Sequence, residues 1–279
     1  MNDKNRNLFL RIASAVVLLP LVLWLLWLGG VATIALVAIA SAIVASEILG
    51  IAGLRLGHPA ALVSMAAAAS FAWFAGDLQS RWPGALGVVA LAPLLTLALL
   101  TLLPPERDLK KAAPLAAFAA MAPTYAGLCL AAIVAMRSFP GTAALAWILV
   151  ALVVTWGNDT GAYFAGRFLG RHKLYPMVSP AKTWEGFAGG MAASILGCFA
   201  IRWLLWPAFT PVDCLVLGGV AGLLGPVGDL SESMLKRAHG VKDSGKIMPG
   251  HGGLYDRVDA LLFNAPWVYA YAFMVHGLV

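Results

Sequence analysis

A polar segment near the end of the chain, Ser231 to Asp259, concentrates residue types that suit phosphate and metal chemistry within 29 residues. Its acids are Glu232, Asp243, Asp256 and Asp259, and Asp229 comes two residues before it. Its bases are Lys236, Arg237, Lys242, Lys246 and Arg257. Carboxylates are the ligands that Mg²⁺ takes in proteins, usually shared with substrate phosphates, and the bases neutralise phosphate charge. The segment therefore indicates a phosphate and metal site.

The spacing of these residues predicts two helices that carry the site. Asp229, Ser233 and Lys236 are four and three residues apart, so a helix places a carboxylate, a hydroxyl and a cation on one face. Asp256 and Asp259 are three residues apart, and the sequence becomes apolar directly after them. We expect them to begin the last helix, so that carboxylates from two helices can hold Mg²⁺.

A glycine-rich turn lies between the two predicted helices. Gly250, Gly252 and Gly253 allow backbone N–H groups to approach an anion, and the following helix N-terminus adds a partial positive charge. His251 could stabilise a departing phosphate or act as an acid near neutral pH, or simply bond a neighbouring backbone group in the turn. The alternative for the whole segment is a basic cytoplasmic loop with glycines for its turns.

These residues carry a resemblance to the CDP-diacylglycerol synthase family, also called phosphatidate cytidylyltransferases. The C-terminal pattern is Ser233-Met-Leu-Lys236-Arg237, Lys242-Asp243, Pro249-Gly-His-Gly-Gly253 and Asp256-Arg257-Val-Asp259. Two upstream segments are also similar: Asn158 to Tyr163 with Gly166-Arg167, and Ser179 to Gly186. Ala181 departs from the family pattern, in which Lys or Asn is common. The matching motifs cover roughly residues 155 to 260.

Asp159 lies in the middle of an apolar stretch. A carboxylate there needs a cation or a hydrogen-bonding partner, and intramembrane acids often mark functional sites. Arg167 and Arg171 follow at the expected membrane surface and could hold a phosphate. The alternative is a stripe of glycines for helix packing, with Asp159 bonded to Thr155 or Tyr163.

The segment from Ser179 to Gly186 predicts the start of another helix. Thr183 followed by Glu185 and an apolar run is a typical helix N-terminus, and Lys182 places a cation just before it. The resemblance implies that these residues bind substrate. In the alternative, Lys182 and Glu185 are ordinary cap and surface charges.

The resemblance implies transfer of the cytidylyl group of CTP to phosphatidic acid, which gives CDP-diacylglycerol and pyrophosphate. Asp229 and Asp256 would hold Mg²⁺, and Asp159, Asp243 or Asp259 could hold a second cation. The predicted catalytic residues are Asp229, Ser233, Lys236, His251, Asp256 and Arg257. The predicted substrate-binding residues are Asp159, Arg167, Ser179, Lys182, Thr183, Glu185, Arg237, Lys242, Asp243, Lys246, Gly250, Gly252, Gly253 and Asp259.

Two other functions remain open at this point. A CTP-dependent lipid-alcohol kinase would use the same residue types, with a hydroxyl that attacks the γ-phosphorus. A non-enzymatic transporter or channel would use the intramembrane acids Glu47 and Asp159 as its pathway. Apart from transport, Glu47 could also serve as a hydrogen-bonding group within the helix bundle.

The composition requires a membrane to surround the site. The 279 residues are 61% hydrophobic and only 11% charged, with a mean hydropathy of +0.85, which excludes a soluble globule. We predict an all-α polytopic membrane protein with about nine spans and a cytoplasmic polar site. The expected spans are 12–28, 31–53, 60–76, 83–103, 112–136, 143–166, 184–206, 214–235 and 260–278. Residues 1–142 would form a scaffold with possible homodimer contacts, and 143–279 the catalytic region.

The distribution of basic residues predicts the orientation. With the N-terminus inside, 16 of the 19 lysines and arginines fall on the cytoplasmic side and 3 on the other. This bias places the N-terminus and the site in the cytoplasm, and we expect a bacterial inner membrane. The net charge of +6 then reflects attraction to anionic lipid rather than to nucleic acid. The three cysteines show no metal-binding or disulfide spacing and are expected to be packing residues.

Overall fold

The computed structural model describes residues 3–105, 108–247 and 252–278, and this part of the chain is almost entirely helical. The first helices are α1 (Asp3–Leu28), α2 (Gly30–Ile51), α3 (Pro59–Ala75), α4 (Leu78–Leu102), α5 (Leu109–Ala122) and α6 (Cys129–Arg137). The later helices are α7 (Ala143–Leu169), α8 (Trp184–Leu204), α9 (Pro211–Ala238) and α10 (Tyr255–His276). A single hairpin of β1 (Lys173–Tyr175) and β2 (Ser179–Thr183) precedes α8 among the described elements.

The lengths and compositions of these helices confirm an all-α polytopic membrane protein. Within the described residues, seven apolar segments of 20 to 28 residues are long enough to cross a bilayer. Two shorter apolar helices, Val16–Leu28 and Pro59–Ala75, coincide with the first and third predicted spans. Each of the nine predicted spans thus lies in a helical segment of the structure, although composition and length alone support membrane crossing for seven.

The predicted span 112–136 is not one regular helix. It consists of α5, a π-helical turn at Pro123–Leu128, and α6. Pro123 has no N–H to donate, so the regular pattern of hydrogen bonds cannot pass through this position unchanged. The interruption therefore has a local cause in the sequence, which the hydropathy pattern alone did not indicate.

The β-hairpin is an addition to the all-α prediction. Its strands are antiparallel, with Lys173 opposite Thr183 and Tyr175 opposite Ser179. At its end the Oγ1 atom of Thr183 accepts a hydrogen bond of 3.1 Å from the N–H of Gly186, which confirms the predicted start of α8. The hairpin matters because it positions Ser179, Lys182 and Thr183.

Small residues allow α7 and α8 to pack backbone to backbone. A Cβ atom at Gly161 would lie 2.6 Å from the carbonyl oxygen of Gly189, and one at Gly189 would lie 3.1 Å from that of Gly161. Any larger side chain would push the helices apart. The glycine stripe in α7 is therefore a packing feature, as the alternative interpretation held, and it fixes the helix that bears Asp159.

The chain forms two compact units. One contains residues 1–138 and 238–257, and the other contains 139–237 and 258–279. Segment 238–257 thus belongs with the N-terminal helices, although its place in the sequence falls within the predicted C-terminal region 143–279. The predicted division at residue 142 separates a scaffold from a catalytic region. It concerns function rather than packing, so it stays a prediction.

Candidate functional site

A cavity of about 420 Å³ lies among α7, the hairpin, α8 and α9 in the second unit. Its wall combines the predicted residues Asp159, Arg167, Lys182 and Thr183 with Asp229. Asn158, Ala162, Tyr163, Gly166, Leu174, Ala181, Gly186, Phe187 and Pro226 complete the lining. The fold therefore brings together residues from three sequence motifs, and it joins charged groups of both signs to a partly apolar wall.

Lys182 is the cation at the centre of this arrangement. Its Nζ atom lies 2.8 Å from Oδ2 of Asp229 and 3.4 Å from the carbonyl oxygen of Pro226. Asp229 also accepts a hydrogen bond of 3.2 Å from the hydroxyl of Ser233, one helical turn further along α9. Strand β2 thus places Lys182 next to the acidic residues of α9. The sequence position of Lys182, just before α8, does not predict this contact.

Three carboxylates form the strongest candidate metal site in the described residues. Oxygen atoms of Asp229, Glu232 and Asp259 all lie within 4.8 Å of one another. Gly228 permits this approach, because a Cβ atom there would lie 2.6 Å from the carbonyl oxygen of Asp259 on α10. Several carboxylate oxygens at such separations fit Mg²⁺, which takes oxygen ligands at about 2.0–2.1 Å.

Lys236 forms a buried ion pair within α9. Its Nζ lies 2.9 Å from Oε2 of Glu232, four residues earlier on α9, and both side chains are buried. The sequence predicts that Lys236 shares a helix face with Asp229 and contacts substrate phosphates. All three residues of that pattern lie on α9, and the charge of Lys236 also neutralises Glu232 beside the carboxylate cluster. Its role towards substrate phosphates stays a prediction.

Glu185 organises the connection between α7 and the hairpin. Its carboxylate accepts hydrogen bonds of 3.0 Å from the N–H of Arg171 and 3.2 Å from that of His172. It also lies 2.6 Å from Nδ1 of His172. Nearby, the guanidinium of Arg167 donates to the hydroxyl of Tyr163 at 2.6 Å and remains exposed at the cavity. Glu185 therefore holds the loop, whereas Arg167 is available to an anion entering the cavity.

The first unit contains a second group of predicted residues, centred on Asp256. Its Oδ2 atom accepts hydrogen bonds from the N–H of Gly253 at 2.8 Å and from the N–H and hydroxyl of Ser244, each at 3.0 Å. The next two N–H groups, of Leu254 and Tyr255, donate to Glu47. The N–H groups that were expected to meet a phosphate at the start of α10 thus meet protein carboxylates.

The remaining predicted residues are half-buried or exposed, or they lie outside the described part of the chain. Gly250 and His251 belong to the latter group. Gly252 has a positive φ of 80°, and a Cβ atom there would lie 2.7 Å from Oδ2 of Asp256, so this position suits glycine. The exposed residues are Arg237, Lys242, Asp243, Lys246 and Arg257, and their roles stay predictions.

Two acids, Glu232 and Glu47, take part in these groups although they are not among the predicted site residues. Glu232 was noted in the polar segment but not assigned to the site, although it lies three residues after Asp229 and four before Lys236. Glu47 was noted as an intramembrane acid, and the structure gives it three hydrogen-bond donors from residues 244 to 255. No local sequence signal links Glu47 to that segment.

Helices long and apolar enough to cross a bilayer, together with a cavity lined by acids, lysine and arginine, define a polytopic membrane protein with a charged cavity. The family is shown by direct comparison: a model described as the cytidylyltransferase family matches residues 9–275. This chain therefore belongs to the cytidylyltransferase family.

Curated relatives are similar to this chain over about half of its length. A protein named phosphatidate cytidylyltransferase from Bacillus subtilis (strain 168) is 40% identical over 152 residues, which is 54% of this chain and 56% of that protein. Proteins of the same name from Staphylococcus epidermidis (strain ATCC 12228 / FDA PCI 1200) and Staphylococcus aureus (strain COL) are 42% identical over 151 and 153 residues, with the same coverage. The chain thus matches somewhat more than half of each relative's length.

Proposed function

We propose that this protein transfers the cytidylyl group of CTP to phosphatidic acid. The main support is the cavity in which Lys182 meets Asp229 beside Glu232 and Asp259, because it offers both a metal-binding and a phosphate-binding group. The family match and the names of the relatives favour this substrate pair over other membrane substrates. The products are CDP-diacylglycerol and pyrophosphate.

The reaction requires charge neutralisation more than acid–base chemistry. A phosphate oxygen of phosphatidic acid attacks the α-phosphorus of CTP, a new P–O bond forms, and the bond to the bridging α–β oxygen breaks. Pyrophosphate leaves with that oxygen and its electron pair. The nucleophile is already an anion, so the protein must hold two anions in line and screen their repulsion. Lys182 and Arg167 line the cavity as cations suited to that work.

The carboxylate set suits a divalent cation. Asp229, Glu232 and Asp259 would hold Mg²⁺, which supplies positive charge to the CTP phosphates when bound. Asp159 and Asp229 line the cavity together with the cations Lys182 and Arg167, so the cavity offers charges of both signs. Asp256 was predicted as a ligand together with Asp229, and that role and a second cation remain proposals.

Labelled nucleotide tests the proposed reaction directly. Purified protein in detergent or nanodiscs would be incubated with phosphatidic acid, Mg²⁺ and CTP that carries ³²P at either the α or the γ position. We expect label from α-labelled CTP in the lipid and label from γ-labelled CTP in pyrophosphate. Lipid labelled only by γ-labelled CTP would instead identify a kinase, and no labelled lipid in either case would contradict both enzymes.

The cytoplasmic orientation is a further proposal, supported by the distribution of basic residues. Cys129, Cys198 and Cys214 would be replaced by alanine, and single cysteines would be placed at exposed Met177 or Thr142. In intact bacterial cells a membrane-impermeant maleimide should label Thr142→Cys and spare Met177→Cys until the membrane is opened. The reverse pattern would contradict the orientation.

A further inference from the structure

We propose that Glu47, on α2, is a positioning residue for the reaction because it fixes the backbone that carries Asp256. This inference rests on the proposed function only for the effect on catalysis. The structural part concerns residues of the first compact unit, in which Glu47 and segment 244–256 both lie. The N-terminal helices would then hold Asp256 in place rather than serve as a membrane scaffold alone.

Glu47 caps the start of α10 with two hydrogen bonds and accepts a third from Ser244. Its Oε1 atom accepts from the N–H of Leu254 at 2.9 Å, and its Oε2 atom accepts from the N–H of Tyr255 at 2.7 Å. Oε2 also accepts from the hydroxyl of Ser244 at 3.0 Å. The first N–H groups of a helix have no partner within the helix, so a carboxylate there both satisfies them and stabilises the helix dipole.

The contact is close enough to dictate the neighbouring residue types. A Cβ atom at Gly245 would lie 2.5 Å from Oε1 of Glu47, and one at Gly253 would lie 2.5 Å from Oε2. Side chains at these positions would displace the carboxylate. Gly245 and Gly253 thus leave room for Glu47, in addition to any role that Gly253 has towards phosphate.

Glu47 reaches Asp256 through one shared residue. The hydroxyl of Ser244 lies 3.0 Å from Oε2 of Glu47 and 3.0 Å from Oδ2 of Asp256, and its single hydrogen can serve one of them at a time. The N–H of Ser244 and that of Gly253 also hold Asp256. The carboxylates of Glu47 and Asp256 therefore belong to one hydrogen-bond network. Both accept hydrogen bonds from Ser244 and from the backbone at residues 253–255.

Because Glu47 is buried, breaking its hydrogen bonds is costly. Only 5% of the residue is exposed, and it lies in an otherwise apolar helix. An isolated carboxylate in such a place is costly, and the three donors offset that cost. Movement of residues 253–255 away from α2 would leave a buried carboxylate without these bonds, which opposes movement of Asp256.

Amide hydrogen exchange tests the structural part without reference to activity. We would compare the full-length protein with Glu47→Gln in nanodiscs, using fragments that separate Leu254 and Tyr255 from their neighbours. The amide side chain of glutamine offers one acceptor instead of two and loses the charge, so exchange at these two positions should accelerate about tenfold or more. Unchanged protection would refute the proposed cap.

Metal binding tests whether Glu47 acts through Asp256. Mn²⁺ binding, followed by electron paramagnetic resonance, would be measured for wild type, Glu47→Gln, Asp256→Asn and the double variant. If Glu47 positions Asp256, Glu47→Gln should weaken binding about tenfold in the wild-type background and by less than twofold in Asp256→Asn. Equal losses in both backgrounds would show a merely structural effect and overturn the positioning role.

Asp213→Asn provides a matched control, because Asp213 is another buried carboxylate that accepts several hydrogen bonds, including one of 2.6 Å from Tyr271. It should leave both exchange at Leu254 and Mn²⁺ affinity unchanged; loss of either would refute the specificity of the Glu47 effect. If Glu47→Gln does not fold, Glu47→Asp and Ser244→Ala replace it under the same criteria. Absence of cytidylyl transfer by wild type would refute the proposed function but leave the exchange result standing.

Discussion

The ammonium group of Lys182 lies 2.8 Å from Oδ2 of Asp229, and this ion pair joins the β-hairpin to α9. The pair combines the two charges that the proposed chemistry needs, since a lysine suits the phosphates and a carboxylate suits their metal. Both side chains are partly exposed at the cavity, with 21% and 38% of their area accessible. Either side chain can therefore give up its contact with the other and bind a ligand, and the charge left behind is not fully buried.

Replacement of Lys182 should reduce catalysis more than stability. Lys182→Met removes the cation that faces Asp229, and we expect kcat/KM for CTP to fall about 100-fold, since preorganised charge is worth that much in comparable sites. Lys173→Met, an exposed change on the paired strand, should stay within about twofold. Steady-state kinetics with thermal unfolding of each variant would check this. Equal losses for both variants would assign the effect to the hairpin as a whole.

Loss of one acid from the carboxylate cluster should weaken metal binding. Asp229→Asn and Asp259→Asn should each lower Mn²⁺ or Mg²⁺ affinity about tenfold or more, because neutral amides are poorer ligands than carboxylates. Isothermal calorimetry in the absence of CTP would measure the affinity. Unchanged metal binding in both variants would exclude the cluster as the metal site.

The buried pair of Lys236 and Glu232 should dominate the stability of the end of α9. Lys236→Met leaves Glu232 buried without its lysine, and we expect a loss of about 3–5 kcal/mol in the free energy of unfolding. The double variant Lys236→Met with Glu232→Gln should regain most of that loss, because neither charge remains. Denaturant unfolding in detergent would measure both, and additive losses would show that the two side chains do not interact.

The contact between α7 and α8 predicts a steric effect at Gly161. Gly161→Ala places a Cβ atom 2.5 Å from that of Ala193 and 2.6 Å from the carbonyl oxygen of Gly189, so the helices must separate. We expect a loss of about 1–3 kcal/mol in stability. Gly219→Ala on α9 has no described neighbour within 4 Å and should be neutral or slightly stabilising. Similar melting temperatures for the two variants would contradict the packing explanation.

Local patterns predicted the helices well. Nine apolar runs each coincide with helical sequence in the described chain, because a membrane requires every backbone group to be satisfied within a helix. Thr183 signalled the start of α8 through its side-chain oxygen, and Asp256 marked the first turn of α10. The sequence did not predict the hairpin, because the residues of its short strands also match the pattern of a helix N-terminus.

Pairings between distant residues required the tertiary structure. The sequence by itself determined that acids, lysines and glycines of one membrane protein suit phosphate and metal, since that depends on residue type and local spacing. Packing decided that Lys182 meets Asp229, that Glu232 joins the cluster with Asp259, and that Glu47 contacts Ser244 across 197 positions. Such contacts depend on how closely whole helices approach, and the small residues that set this distance do not reveal which helices will meet.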